Sequence, residues 1–369
     1  MTELLDVEDV RAGVDAAVAE HLASLEAELA DVGPGGELID LVSELRALAG
    51  GGKRLRAAFC YWAWRAHGGD ETAGSATRRT VLSVGAALEL FQAAALAHDD
   101  VMDDSDTRRG RTATHRAFAE VHRSSGWAGP ADRFGESVAI LLGDLSLIAG
   151  ERVFAEAAAD FPPDTRAVMN RAFGRMRTEV IAGQYLDVLG QARPPAEDAA
   201  AQEELARAVI RAKSARYSVE VPLVLGAAAA GGDDAALARM HRIGLPLGEA
   251  FQLRDDLLGV FGDPVTTGKP AGDDLREGKR TVLVARALAV ASPADRDLLV
   301  AGLGRRDLSA GDVDELRRAL RRTGADAAVE HLIGELGGPA LRELAESPLS
   351  EPGRSMLAGL ARAAVERSA

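Results

Sequence analysis

The sequence of 369 residues has one cysteine, Cys60, so no intramolecular disulfide can form and a reducing compartment fits. Cys60 lies in the apolar segment AAFCYWAW and reads as a small buried residue rather than a nucleophile. A basic, apolar leader is missing as well: MTELLDVEDV carries acids where a secretory signal needs positive charge. The longest uncharged apolar stretches, such as 221–232, fall short of the ~20 residues that span a bilayer. The expectation is a cytoplasmic protein with no transmembrane segment. Positive charge is in deficit, with a net charge of −14, which excludes nucleic acid as the main partner but not a small anionic ligand met by a local basic cluster. Alternating strand patterns are almost absent, and no internal repeat, low-complexity segment or linker stands out. One domain over 1–369 is expected, long enough to bury about three quarters of its unfolded surface.

What remains is helix. Glycine, proline and acidic turns punctuate segments rich in Ala, Leu, Glu and Arg, and the pattern predicts an all-α chain of more than ten helices. The longest are placed at 78–105, 133–160, 165–189 and 198–230, several of them reaching ~40 Å at the helical rise.

The most pointed stretch is Asp99 to Arg109, DDVMDDSDTRR. If the helix runs through it, Asp99 and Asp103 share one face with Asp100 at its edge, and like charges there, near a helix C-terminus, destabilise it. A hard divalent cation would compensate; alone, the run reads equally as a solvated acidic helix end. It lacks the alternating acids and glycine of a calcium loop. Upstream, Gly50–Arg56 reads GGGKRLR, with Lys53, Arg54 and Arg56 at a helix start suited to an anion, although a flexible turn has the same composition. It is not a Walker loop. Positions 93–97 are Ala-Ala-Ala-Leu-Ala, fitting either close helix packing or a groove for an apolar chain. Gln92 and His98 beside them either satisfy a neighbouring helix or belong to a site. Further on come Gly183-Gln184-Tyr185-Leu186-Asp187 and Lys213-Ser214. A second acidic cluster then repeats the first: Phe251-Gln252 and Asp255-Asp256 end an apolar helix and are followed by Asp263, Lys269, Asp273-Asp274 and Lys279-Arg280. Two facing carboxylate clusters clamping metal around a polyphosphate would explain both, together with the basic residues beside them.

Taken in order over roughly 45–285, these motifs resemble the trans-isoprenyl diphosphate synthases, or polyprenyl synthetases. Asp99-Asp100-Val-Met-Asp103 with Arg108-Arg109 resembles the family's first aspartate motif, and Gly51–Arg56 its basic motif. Gln92 stands where a Gln or His belongs, Gln184 to Asp187 matches GQxxD, and Lys213-Ser214 replaces Lys-Thr. Phe251-Gln252 with Asp255-Asp256 resembles the second aspartate motif, followed by Lys269, Asp274 and Lys279. The resemblance implies a homodimer of helical bundles around a deep central cavity, and condensation of isopentenyl diphosphate with an allylic diphosphate using Mg2+. The implied metal residues are Asp99, Asp100, Asp103 and Asp255, with Asp99, Asp103 and Asp255 as direct ligands and Asp100 and Asp256 in support. Arg108, Lys213 and Lys269 face the allylic diphosphate, Lys53, Arg56, Gln92 and Arg109 face isopentenyl diphosphate, and Lys279 belongs to the substrate-binding set. Gln252, Ser214 and carbonyls near Lys213 would stabilise an allylic cation, and the released diphosphate would take the final proton.

Two positions depart from the family pattern: Gly259 replaces the third aspartate of the second motif, where Asp263 is a possible substitute, and Ala57 stands in place of a common proline. The resemblance places the floor of the product cavity four and five residues before the first motif, at Ala95 and Ala94. Both are small, so growth should continue to Phe91, one turn deeper, giving geranylgeranyl diphosphate or a longer chain. A class I terpene cyclase would leave Lys53, Arg56 and Arg109 idle. A non-catalytic regulatory subunit gains from Gly259 but not from the two intact aspartate pairs.

Overall fold

The computed structural model describes residues 7–32, 37–70, 75–193, 198–263 and 272–366. After a short turn at Val7–Asp9 come α1 (Val10–Ala30), α2 (Glu37–Ala49), α3 (Leu55–Ala66) and α4 (Ala76–Met102). A two-strand ladder, β1 (Thr107–Arg108) and β2 (Arg111–Thr112), separates α4 from α5 (Thr114–Ser124), α6 (Ala131–Ala159) and α7 (Pro163–Ala192). Next come α8 (Ala199–Val209), a π-helical run (Ile210–Glu220), α9 (Val221–Ala229) and α10 (Asp234–Phe261). The remainder is α11 (Asp273–Glu277), α12 (Val282–Val290), α13 (Pro293–Gly302), α14 (Ala310–Arg322), α15 (Ala325–Glu346) and α16 (Gly353–Val365). The all-α expectation holds, and the four long helices lie within three residues of their expected ends. Two features went unforeseen: the small ladder, and the π-helical run inside what reads as one regular helix.

The chain forms two compact units. One runs to Phe173 and adds Pro222–Leu237 and Pro348–Leu360; the other holds Gly174–Val221, Ala238–Ser347 and the residues from Ala361. In the first unit α4 is the central helix, capped by the Ser75 hydroxyl, which accepts from the Arg78 amide at 3.1 Å. Its Val81, Val84, Leu88, Leu90, Phe91 and Ala94 are all buried. It is the one helix among the described residues long and apolar enough to cross a membrane, yet most of its apolar length is buried in the protein, as a core helix requires. Around it pack α1, α3 and α6, with Tyr61, Trp62 and Trp64 of α3 inside. Cys60 is buried among them, and burial pushes its thiol up to about 12, so it is the inert small residue expected. In the second unit the C-terminal helices grip the end of α10. Arg254 is ion-paired with Glu330 of α15 and donates to the Val365 carbonyl at 3.0 Å, Arg317 of α14 donates to the Val260 carbonyl at 2.6 Å, and Arg321 lies 4.9 Å over the Phe261 ring.

The first unit also buries a charge network. Arg54, at the N-terminus of α3, is 5% exposed and donates to Asp15 of α1 at 2.7 Å, to the Ala49 carbonyl at 2.6 Å and to Glu89 of α4 at 3.2 Å. Glu89 is itself 3% exposed, so removing the guanidinium strands a buried carboxylate. We expect Arg54→Met to lower stability by about 3–5 kcal/mol, and the double change with Glu89→Leu to lose much less. Urea unfolding curves of the three proteins check this.

Candidate functional site

Helix α4 ends at Met102, so Asp99 and Asp100 lie in its last turn and Asp103 caps it, its amide donating to the Asp99 carbonyl at 2.8 Å. Asp100 and Asp103 are each 1% exposed. Three acids at the negative end of a helix dipole need positive charge nearby, and Arg108 supplies part of it. Its Nε donates to Asp100 Oδ1 at 2.7 Å, its Nη2 also reaches Asp100, and Asp99 Oδ2 lies at 3.5 Å. Arg108 sits in β1 of the ladder, where Thr107 pairs with Thr112 and Arg108 with Arg111. Between them Arg109 and Gly110 both have positive φ, 53° and 73°, the signature of a two-residue type I′ turn.

That turn sends Arg109 back over the glycine loop. Its Nη1 donates to the Gly50 carbonyl at 3.0 Å, and a methyl group on Gly52 would fall 3.3 Å from Nη2. Partial burial pulls the Arg109 pKa down; Glu89 opposes this, and the like charges of Arg56, Arg54 and Arg108 add to it. The basic motif and the arginine pair therefore form one cationic cluster, the electrostatic arrangement of an anion site. Lys53 stands exposed beside it and Arg56 half-buried, whereas Arg54 belongs to the buried network and is structural. Thr114 and Arg111 anchor the ladder to Glu44 of α2, at 3.0 and 3.1 Å.

Other candidates in this unit line the inside of α4 or meet a neighbouring helix. Gln92 is buried in α4, and His98 Nε2 meets the Ile140 carbonyl of α6 at 3.1 Å with Asp144 at 3.4 Å. Ala93, Ala94 and Ala97 are buried, while Ala95 is half-buried. The Phe91 ring packs edge-on to Phe173 at 6.5 Å, and Phe173 stacks on Phe154 at 3.9 Å. Phe154 and Phe173 went unnoticed in the sequence, because nothing local ties them to Phe91.

In the second unit the π-helical run carries Lys213 and Ser214. It ends with the Val221 amide donating to Arg216, five residues back, just before Pro222, which has no N–H to continue a regular ladder. Two glycines hold it: a methyl on Gly183 of α7 would fall 2.5 Å from the Lys213 amide nitrogen, and one on Gly248 of α10 would fall 2.8 Å from Ala215 Cα. Lys213 Nζ lies 2.6 Å from Asp187 Oδ2. The lysine is thus not a free surface residue, and the two ends of the GQYLD pattern have structural reasons: the glycine admits the helix and the aspartate fixes the lysine.

On α10, Gln252 donates its amide to Asp256 Oδ1 at 2.8 Å. Burial pushes Asp256 up to about 7; the Gln252 hydrogen bond pulls it down, Asp274 raises it, Lys279 lowers it and Asp255 raises it again. Lys279 Nζ lies 2.6 Å from Glu277 and 3.6 Å from Asp274. The carboxylate packed against Gly259 is that of Asp274, while Asp263 is exposed. Lys269 lies outside the described residues.

Among the described residues no three carboxylate, histidine or cysteine groups converge into a ready metal cage. One or two carboxylates at each helix end, with the rest of the shell left to water and phosphate oxygens, is the pattern Mg2+ takes. Burial is the main reason Asp256 resists its charge, with Asp274 and Asp255 adding to it, and a hard cation beside these oxygens would offset that cost, so the donor type suits Mg2+.

The polyprenyl synthetase family model matches residues 41–320. The geranylgeranyl diphosphate synthase of Mycobacterium tuberculosis is 33% identical over 292 residues, covering 78% of this chain and 73% of that protein. The geranylfarnesyl diphosphate synthase of Aeropyrum pernix is 32% identical, covering 67% and 69%. Among solved structures, the geranylgeranyl pyrophosphate synthase of Corynebacterium glutamicum, complexed with isoprenyl diphosphate and magnesium, superposes with a TM-score of 0.90 at 38% identity, covering 100% of this chain and 99% of that one. With its motifs in the expected order and the match spanning most of its length, the chain belongs to the polyprenyl synthetase family and is a trans-prenyltransferase.

Proposed function

We propose that the protein condenses isopentenyl diphosphate head to tail with an allylic diphosphate, with Mg2+ as cofactor and geranylgeranyl diphosphate or a longer chain as product, as a homodimer in the cytoplasm. One observation carries this reading. Within eleven residues, Asp99 to Arg109, the chain joins a carboxylate cluster to an arginine cluster folded over the glycine loop. The first suits a diphosphate held through metal and the second a diphosphate held by charge alone. A terpene cyclase needs only the first.

Bound Mg2+ would neutralise the departing diphosphate, held by Asp99, Asp103 and Asp255 with Asp100 and Asp256 in support. Arg108, Lys213, Lys269 and Lys279 add positive charge to the allylic diphosphate, and Asp187 and Glu277 fix two of those lysines. Gln252, Ser214 and carbonyls near Lys213 offer dipoles to the allylic cation without a competent nucleophile. Lys53, Arg56, Gln92 and Arg109 orient isopentenyl diphosphate so that its alkene meets that cation. The released diphosphate accepts the last proton, so no side-chain base is required.

Product length rests on the first unit. Ala94 is small, and the Phe91, Phe173 and Phe154 rings below it support a floor one turn deeper than in short-chain enzymes. Homodimer formation is supported by apolar side chains left in water on α6: Leu141 is 61% exposed and Ile148, one heptad on, 57%.

Three results are expected. Incubation with labelled isopentenyl diphosphate and an allylic primer gives products of twenty carbons or more, and Ala94→Phe shifts the main product to a shorter chain; a fifteen-carbon sole product, or an unchanged profile in the variant, opposes the reading. Arg109→Gln removes charged hydrogen bonds of about 1.5–3 kcal/mol and raises KM for isopentenyl diphosphate roughly 10–100-fold, with the allylic KM little changed. Leu141→Glu turns a dimer into a monomer in sedimentation velocity runs.

A further inference from the structure

We propose that product length is set behind Phe91, by the Phe173 ring of α7, and that Phe154 of α6 is the positioning residue that holds Phe173 there. The inference deepens the condensation proposed above and rests on it.

Asp99, Ala95 and Phe91 stand four apart on α4 and form one row, about 12 Å long at the helical rise. Asp99 and Ala95 are half-buried, whereas Phe91 is 4% exposed and Ala87, the next position in the row, is sealed. Access along the row therefore ends at the Phe91 ring, where a chain growing away from a diphosphate at Asp99 first meets resistance. A single phenylalanine is a weak stop, because its side chain turns to another rotamer when there is room behind it. That room is taken by Phe173, whose ring lies edge-on to Phe91 at 6.5 Å between centroids and is itself buried.

Phe173 is backed in turn. Its ring stacks on Phe154 at 3.9 Å with 7° between the planes, and Phe154 is also buried. Helix α6 is registered on α4 on either side of Phe154. The Ser146 hydroxyl donates to the Leu90 carbonyl at 2.8 Å, and the Thr80 hydroxyl donates to Asp160, just past the end of α6, at 2.8 Å. Between these two bonds a methyl on Gly150 would fall 3.2 Å from the Ala87 carbonyl oxygen and 3.3 Å from the Phe91 amide nitrogen, so the helices are in close backbone contact one turn before Phe154. Phe154 is thereby fixed in height against Phe91, and the parallel stack passes that restraint to Phe173.

The test sizes the products that the full chain makes from labelled isopentenyl diphosphate and an allylic primer. Leucine and methionine replacements keep the core filled, and a melting curve for each shows which of them fold. Phe173→Leu, or Phe173→Met, is expected to lengthen the main product by one isoprene unit or more. Phe154→Leu, or Phe154→Met, lengthens it too, although Phe154 lies off the row, because Phe173 loses the ring behind it. Phe91→Leu alone gives a smaller shift, and Phe91→Leu combined with Phe173→Leu a larger one than either. A purely structural pair would lower the melting temperature and the turnover while leaving the length alone. An unchanged length in the folded variants at either Phe173 or Phe154, or Phe91→Leu alone reaching the length of the double variant, overturns the proposal. A wild-type protein that does not elongate an allylic diphosphate at all overturns the underlying reading along with it.

Discussion

Like charges held together against their own repulsion govern the chemistry-bearing parts of this protein. Asp99, Asp100 and Asp103 crowd the C-terminal end of α4, where the helix dipole already disfavours them, and Asp255 and Asp256 crowd the last turns of α10. Arg54, Arg56, Arg108 and Arg109 gather with the opposite sign. Each crowd is held by a partner: Arg108 pairs with Asp100, Glu89 with Arg54, and the neutral Gln252 amide donates to Asp256, with Lys279 adding positive charge. In the proposed reaction, these gathered charges are what a multiply charged substrate and its metal would meet.

The same economy shapes the lysines. Lys213 and Lys279 each rest on a carboxylate, at 2.6 Å in both cases, rather than waving in solvent. A lysine so tethered loses less side-chain freedom when an anion arrives, so its charge is delivered in place. In the proposed transfer, Asp187 and Glu277 would serve by holding these lysines in place, without touching a substrate.

The sequence revealed the helices because alanine, leucine and charged residues repeat at helical spacing between glycine and proline breaks, and it revealed the aspartate runs because five acids in eight residues are conspicuous. It hid what depends on partners far away in the chain. Nothing near Phe91 announces Phe154 or Phe173, and nothing near Arg254 announces Glu330 or Val365. The C-terminal third carries no motif, yet its arginines and glutamate clasp the end of the very helix that bears Asp255 and Asp256. The π-helical run was invisible for another reason: Ile210–Glu220 has no unusual composition, and its widening is imposed by Pro222 after it and by the close approach at Gly183 and Gly248. Arg54 was grouped with its basic neighbours because charge alone cannot tell a ligand-facing guanidinium from one facing Glu89.

The Arg109–Gly110 turn carries a consequence for the variation this chain can tolerate. A type I′ turn is most comfortable with asparagine or glycine at its first central position, and arginine with φ at 53° is strained there. Relaxing the backbone would mean choosing a neutral residue, and the guanidinium over Gly50 would vanish with the strain. Substitutions at this corner therefore set conformational ease against electrostatic reach, and a selection for thermal robustness alone would be drawn towards sequences that give up a guanidinium from the cationic cluster over the glycine loop.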